Sequence, residues 1–266
     1  MKKMSGLGKL GRKRLTSLIQ SDKNIISVKR SASILGISTK HAAKILSQLT
    51  NKGWLVRVKR GIYIPVPLES TTSDISLENP WVIAENLYFP CYIGGVSAAE
   101  HWGLTEQVFR TVVVFTIQKP RDRKPIINGT HFILHTIPRA ALFGLKTLWQ
   151  EQTKVFISDP TRTILDFLID PKMGGGIRPT TDMLKTYLKS KYKNLELLVD
   201  YAKKLGNSAV FKRLGFLLEK YMPHEQRIID ACKKQITISK TKLDPQLDNN
   251  KFITRWRLWV PKDWKE

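Results

Sequence analysis

Between residues 28 and 66 the apolar repeat changes from the period of a helix to that of a strand, and a glycine stands at each joint. No other feature constrains the fold as tightly. Val28, Ala32 and Leu35 fall at helical spacing, as Leu15, Leu18 and Ile19 do in the preceding stretch 9–20, so two short helices are expected. Gly36 then permits a left-handed turn, and Ser38 is a natural N-cap for TKHAAKILSQLTNKG. In this third helix Ala42, Ile45, Leu46 and Leu49 form one apolar stripe, while Lys40, Lys44 and Ser47 project roughly opposite, flanked by His41 and Gln48. After Gly53 the run WLVRVKRGIYIPV alternates as two strands joined at Lys59, Arg60 and Gly61, which reads as a two-stranded wing.

Charge is concentrated in the same region. Residues 1–68 hold fifteen Lys/Arg and a single acid, Asp22, out of totals of 45 and 22 for the 266-residue chain, whose formal net charge is +23. Such a surplus is costly in self-repulsion unless a polyanion is a regular partner, which makes nucleic acid the leading expectation. A membrane surface is the poorer one, because no apolar run approaches the ~18 residues of a span. The basic start MKKMSGLGKLGRKR lacks the apolar stretch of a signal peptide, so a soluble cytoplasmic protein is expected. Cys91 and Cys232 stand far apart with no CxxC spacing, which fits a reducing compartment and argues against structural zinc.

A helix, a glycine turn and a second helix with a basic, hydrogen-bonding outer face is the arrangement that seats a helix in the major groove of duplex DNA. The candidate DNA-binding residues are therefore Ser38, Thr39, Lys40, His41, Lys44, Ser47 and Gln48 on the third helix, Lys29 and Arg30 on the second, and Arg57, Lys59 and Arg60 on the wing, the last three toward phosphates. The bland alternative is that these lysines only solvate a helix face. It is weakened because a solvated face normally mixes signs.

The order LGIS, basic helix, VKRGIYIP resembles the winged-helix module of the AbiEi antitoxins, from the abortive-infection toxin-antitoxin systems called type IV. The resemblance continues through NPWVIAENLYFPCYIGGVSAAEHWGL, SDPTRTILDFLIDPKMGGG, KRLGFLLEKY and RWRLWVP, so it covers nearly the whole chain. It implies an autorepressor that binds inverted repeats in its own operator with two protomers per site, either as a dimer on the DNA or by cooperative binding without a stable free dimer. It also implies a carboxy-terminal domain that counters a cognate AbiEii-like nucleotidyltransferase toxin.

The residues alone place a linker at the Pro-, Ser- and Thr-rich stretch 66–80, which divides a DNA-binding domain at 1–68 from a second domain at 81–266, with 69–80 between them. In the second domain RTVVVFTIQ, THFILHTI and the pair within KTLWQEQTKVFIS read as strands. Asp159 and Pro160 open a helix that Pro171 and Gly174 to Gly176 stop, and further helices are expected at 181–192, 194–205, 208–221 and 224–234, with RWRLWVP as a closing strand. The fold class is α+β, a winged helix-turn-helix followed by a larger mixed domain with strands early and helices late.

An enzymatic alternative is a metal-dependent nuclease delivered to DNA by the winged helix, with Asp159 and Asp166 joined by Glu100 or Asp170 beside Arg162. Asp159 is better read as a helix cap, and Arg162 with Asp166 as an i, i+4 ion pair at the surface or between helices. No catalytic residue, metal or cofactor is expected, and a plain transcriptional regulator without a toxin is the remaining alternative. His131 and His135 share a strand face without acidic partners and read as structural or exposed. Trp81, Trp102, Trp149, Trp256 and Trp259 read mostly as core or lid residues, Trp264 as an exposed contact, and Lys189, Lys191, Lys193, Lys233 and Lys234 as solvated lysines or an extension of the basic surface.

Overall fold

The computed structural model describes residues 5–21, 26–66, 79–127, 129–150, 153–262 and 264. Its amino-terminal unit follows the change of period seen in the sequence. Helices α1 (Lys9–Ser21), α2 (Val28–Leu35) and α3 (Thr39–Asn51) precede a hairpin of β2 (Leu55–Lys59) and β3 (Ile62–Pro65), and β1 (Ile26–Ser27) pairs antiparallel with β3 between the first two helices. At two residues β1 is too short for alternation to reveal, and the sequence reading did not anticipate it. Leu15, Leu18, Ile26, Ile45, Leu46, Leu49, Leu55 and Tyr63 bury one another in the core of this unit. Each of the larger aliphatic side chains contributes about 2 kcal/mol by leaving water.

Most of the expected linker falls on residues 67–78, outside the described residues. Its last two positions belong to a helix: the Asn79 side chain accepts from the Trp81 N–H at 2.9 Å, and Pro80 opens α4 (Pro80–Tyr88).

Beyond it a six-stranded sheet forms from β4 (Cys91–Ile93), β5 (Thr111–Thr116), β6 (Ile126–Ile127), β7 (Thr130–Thr136), β8 (Leu145–Gln150) and β9 (Thr153–Ser158), in the order β6-β7-β5-β4-β9-β8. The pairs β5/β7 and β4/β9 are parallel and the others antiparallel. Side chains alternate between the two faces. Tyr92, Val113 and Phe115 meet the helices α5 (Gly95–His101) and α6 (Pro160–Ile169), whereas Cys91, Ile93, Val112, Val114, Val155 and Ile157 meet α4. Burial on both faces is why TVVVFT reads as an unbroken apolar run.

Four more helices complete the helical half: α7 (Ile177–Lys189), α8 (Leu195–Leu205), α9 (Ser208–Tyr221) and α10 (Gln226–Lys233). Helix α7 starts four residues before its expected position because the Asp244 carboxylate accepts from the Ile177 N–H at 2.8 Å, a long-range cap that local sequence does not reveal. The closing segment joins a separate small sheet of β10 (Thr241–Lys242), β11 (Lys251–Ile253) and β12 (Leu258–Val260), ordered β10-β12-β11. Trp256 lies fully buried beside it, and its indole Nε1 donates to Glu219 at 2.7 Å. The α+β class, with strands early and a helical second half, is as the sequence indicated.

Two tryptophans depart from expectation. Trp264 packs against the helical core with its Nε1 buried, whereas Trp149, on the edge strand β8, is 63% exposed. Among the described residues no helix is long and apolar enough to cross a membrane.

Candidate nucleic-acid interface

The geometry of α2 and α3 follows from their caps. The Ser27 hydroxyl accepts from the Arg30 N–H at 3.3 Å to start α2, and Gly36 ends it in the left-handed conformation at φ 63, returning its N–H to the Ala32 and Ser33 carbonyls. Ser38 then caps α3, accepting from the His41 N–H at 3.2 Å. Each cap satisfies an otherwise unpartnered donor and contributes about 1 kcal/mol. The Ser38 oxygen, a sequence candidate for DNA contact, is thereby engaged in holding the helix.

With its start fixed, α3 turns Ala42, Ile45, Leu46 and Leu49 into the core and leaves Thr39, Lys40, His41, Lys44, Ser47 and Gln48 exposed. Lys29 and Arg30 are exposed on α2, close in sequence to the helix start. In the wing, Arg57 and Arg60 are exposed, and Gly61 makes the turn at φ 80. The Gly61 carbonyl accepts from the Val28 N–H at 3.0 Å, which ties the wing turn to the first residue of α2. Lys59 pairs with Ile62 through the backbone across a bulge between Arg57 and Lys59; its side chain lies outside the described residues. Two helices and a hairpin thus present the sequence candidates from one small unit, whose described residues contain no carboxylate.

The carboxylates considered for metal chemistry form a different kind of structure. Asp166 is fully buried: Oδ1 accepts from Arg162 Nε at 2.8 Å and Oδ2 from the Tyr92 hydroxyl at 3.1 Å. Arg162, 1% exposed, also donates to the Ala141 and Phe143 carbonyls at 2.8 and 3.2 Å and to the Tyr92 oxygen at 2.9 Å. The pair is therefore sealed inside the molecule rather than lying at the surface. Burial works against the guanidinium charge, but Asp166 and Tyr92 beside it hold the Arg162 pKa above its usual range.

Asp159 caps α6 through the Arg162 N–H at 2.7 Å and accepts from the Tyr201 hydroxyl at 3.0 Å; burial followed by the neighbouring Asp159 pushes that phenol up to about 12. Glu100 accepts from the Phe109 N–H at 3.2 Å, and Asp170 from the Lys172 N–H at 3.2 Å. Among the described residues no group of three or more His, Cys, Asp or Glu is placed to hold a metal ion. The sequence reading missed Tyr92, Tyr201 and the two carbonyls of this network. A usable signal was present, because Arg162 and Asp166 sit within the otherwise apolar helix segment TILDFLI and its flank.

Three helices, a strand between the first two and a terminal hairpin define a winged helix-turn-helix, here joined to a larger α+β body. Residues 13–66 match the family described as transcriptional regulator, AbiEi antitoxin. Over residues 13–66 the amino-terminal unit is accordingly similar to the AbiEi antitoxin transcriptional regulators. Over its whole length the fold is similar to the crystal structure of the RV2827C protein from Mycobacterium tuberculosis, with a TM-score of 0.56 at 15% identity, covering 97% of this chain and 94% of that one. No curated protein matches the chain.

Proposed function

We propose that the protein is a sequence-specific duplex-DNA-binding autorepressor that also serves as the antitoxin of a nucleotidyltransferase-like toxin. One observation carries the DNA-binding reading: α3 turns Lys40, His41, Lys44, Ser47 and Gln48 to solvent from a unit without a described carboxylate. A helix with this outer face suits the major groove, its first turns reading base edges while Lys29, Arg30, Arg57, Lys59 and Arg60 meet phosphates. The description of the matched family as antitoxin transcriptional regulators supports both halves of the proposal.

The DNA-binding domain is assigned to 1–68 and the antitoxin domain to 81–266. A pseudo-palindromic operator would engage two protomers. The burial of Asp166 and Asp159 weighs against the nuclease alternative, because a metal would have to displace hydrogen-bond partners that are sealed inside the molecule.

The test is a titration of the full-length protein on the promoter region of its own gene and on unrelated duplex. Lys40→Ala with Lys44→Ala should cost about 1–3 kcal/mol per lost base contact on the operator and far less elsewhere. Equal losses on every sequence would leave only a non-specific binder. The antitoxin half predicts that co-expression relieves growth arrest by a nucleotidyltransferase-like toxin encoded beside it. Persistent arrest with repression intact would reduce the protein to a plain regulator.

A further inference from the structure

The wing is buried on both of its faces. Leu55 and Tyr63 turn into the core of the amino-terminal unit. On the opposite side Val58 and Ile64, 7% and 4% exposed, belong to the apolar cluster that contains Val82, Ile83 and Leu87 of α4 and Val112, Val114, Phe132 and Leu134 of the large sheet. Ile62 and Trp81 pack against the same cluster. Alternation along β3 produces this division, with Tyr63 on one face and Ile62 and Ile64 on the other, and Val58 is the extra residue of the bulge between Arg57 and Lys59. The same hairpin therefore completes two cores, and its turn carries Arg60.

We propose that the α+β body positions the wing for DNA, with Val58, Ile62 and Ile64 acting as positioning residues through the cations Arg57 and Arg60. This rests on the DNA-binding reading above. The physical argument is preorganisation. Ordering a free hairpin on binding costs backbone entropy at every residue that is fixed. A hairpin clamped between two cores meets that cost on folding, so the attraction of its arginines for phosphate is expressed in affinity. Loosening the outer face should weaken binding without touching DNA and should lower the number of phosphates engaged.

The experiment is a thermodynamic cycle in the full-length protein. Operator affinity is measured across salt concentrations for wild type, Ile64→Ala, Arg60→Ala and the double variant, with Ile64→Val as the conservative control. Ile64→Ala should lower affinity by about tenfold and reduce the salt slope by roughly one unit, and Ile64→Val should restore both. Combined with Arg60→Ala, the alanine should add less than about a further twofold, because both changes remove one contribution.

Additive losses, or an Ile64→Ala variant with an unchanged slope, would overturn the inference. Should Ile64→Ala melt before it can be titrated, Ile62→Ser, at a half-buried position of the same face, is put through the same cycle and judged by the same two outcomes. Failure of the wild type to bind duplex with any salt dependence would instead remove the DNA-binding reading itself.

Discussion

Alanine in the middle of a helix is normally about 1 kcal/mol more stable than glycine. At Gly215 in α9 the order should invert, because an added Cβ would stand 2.2 Å from the ring of the fully buried Trp256. Gly215→Ala is expected to cost about 1–3 kcal/mol by overpacking, read as a lower denaturation midpoint; an unchanged or raised midpoint would contradict this contact. Asp166 supplies a second case. Its loss would leave the Arg162 guanidinium buried beside Tyr92 without its carboxylate, so Asp166→Ala should destabilise by about 3–5 kcal/mol in urea titrations. A loss below about 1 kcal/mol would mean that the pair is far more hydrated than its burial indicates.

Helix α4 shows how one residue type changes meaning with its element. Glu85 sits on the buried side of α4 at 7% exposure, and its Oε2 accepts from the Cys91 thiol at 3.7 Å. Burial outweighs that bond and the Phe156 backbone bond, raising the carboxyl from 4.5 to about 7. A folded-state pKa above the unfolded value means that the native state holds the proton longer. The associated stability is complete below pH 4.5 and is lost as pH rises toward 7, about 3 kcal/mol in all. Glu85→Gln should therefore flatten the fall in melting temperature between pH 5 and 8, and a variant with the wild-type pH profile would count against this assignment. Cys91, its thiol pushed up by burial and by Glu85, behaves as a core residue rather than as a reactive one.

At the scale of the molecule, the concentration of cations at one end predicts strongly salt-dependent affinity, with a slope near −0.9 for each phosphate neutralised. Lys44→Ala on α3 should reduce operator affinity while changing this slope little, whereas Arg60→Ala should reduce the slope by about one unit on any duplex. Equal slopes for the two variants would remove the distinction between base-reading helix and phosphate-binding wing. By itself the sequence determined the helix-turn-helix-hairpin order, the Ser38 and Asp159 caps, the exposed basic face of α3 and most strands and helices of the body. These depend on spacing and on capping groups within a few residues, so local chemistry suffices. The tertiary structure decided the pairing of β1 with β3, the burial of Arg162 with Asp166, the Asp244 cap on α7 and the second buried face of the wing. Each joins groups far apart in the chain or depends on which faces are covered, and an alternating strand reads the same whether one of its faces meets water or another core.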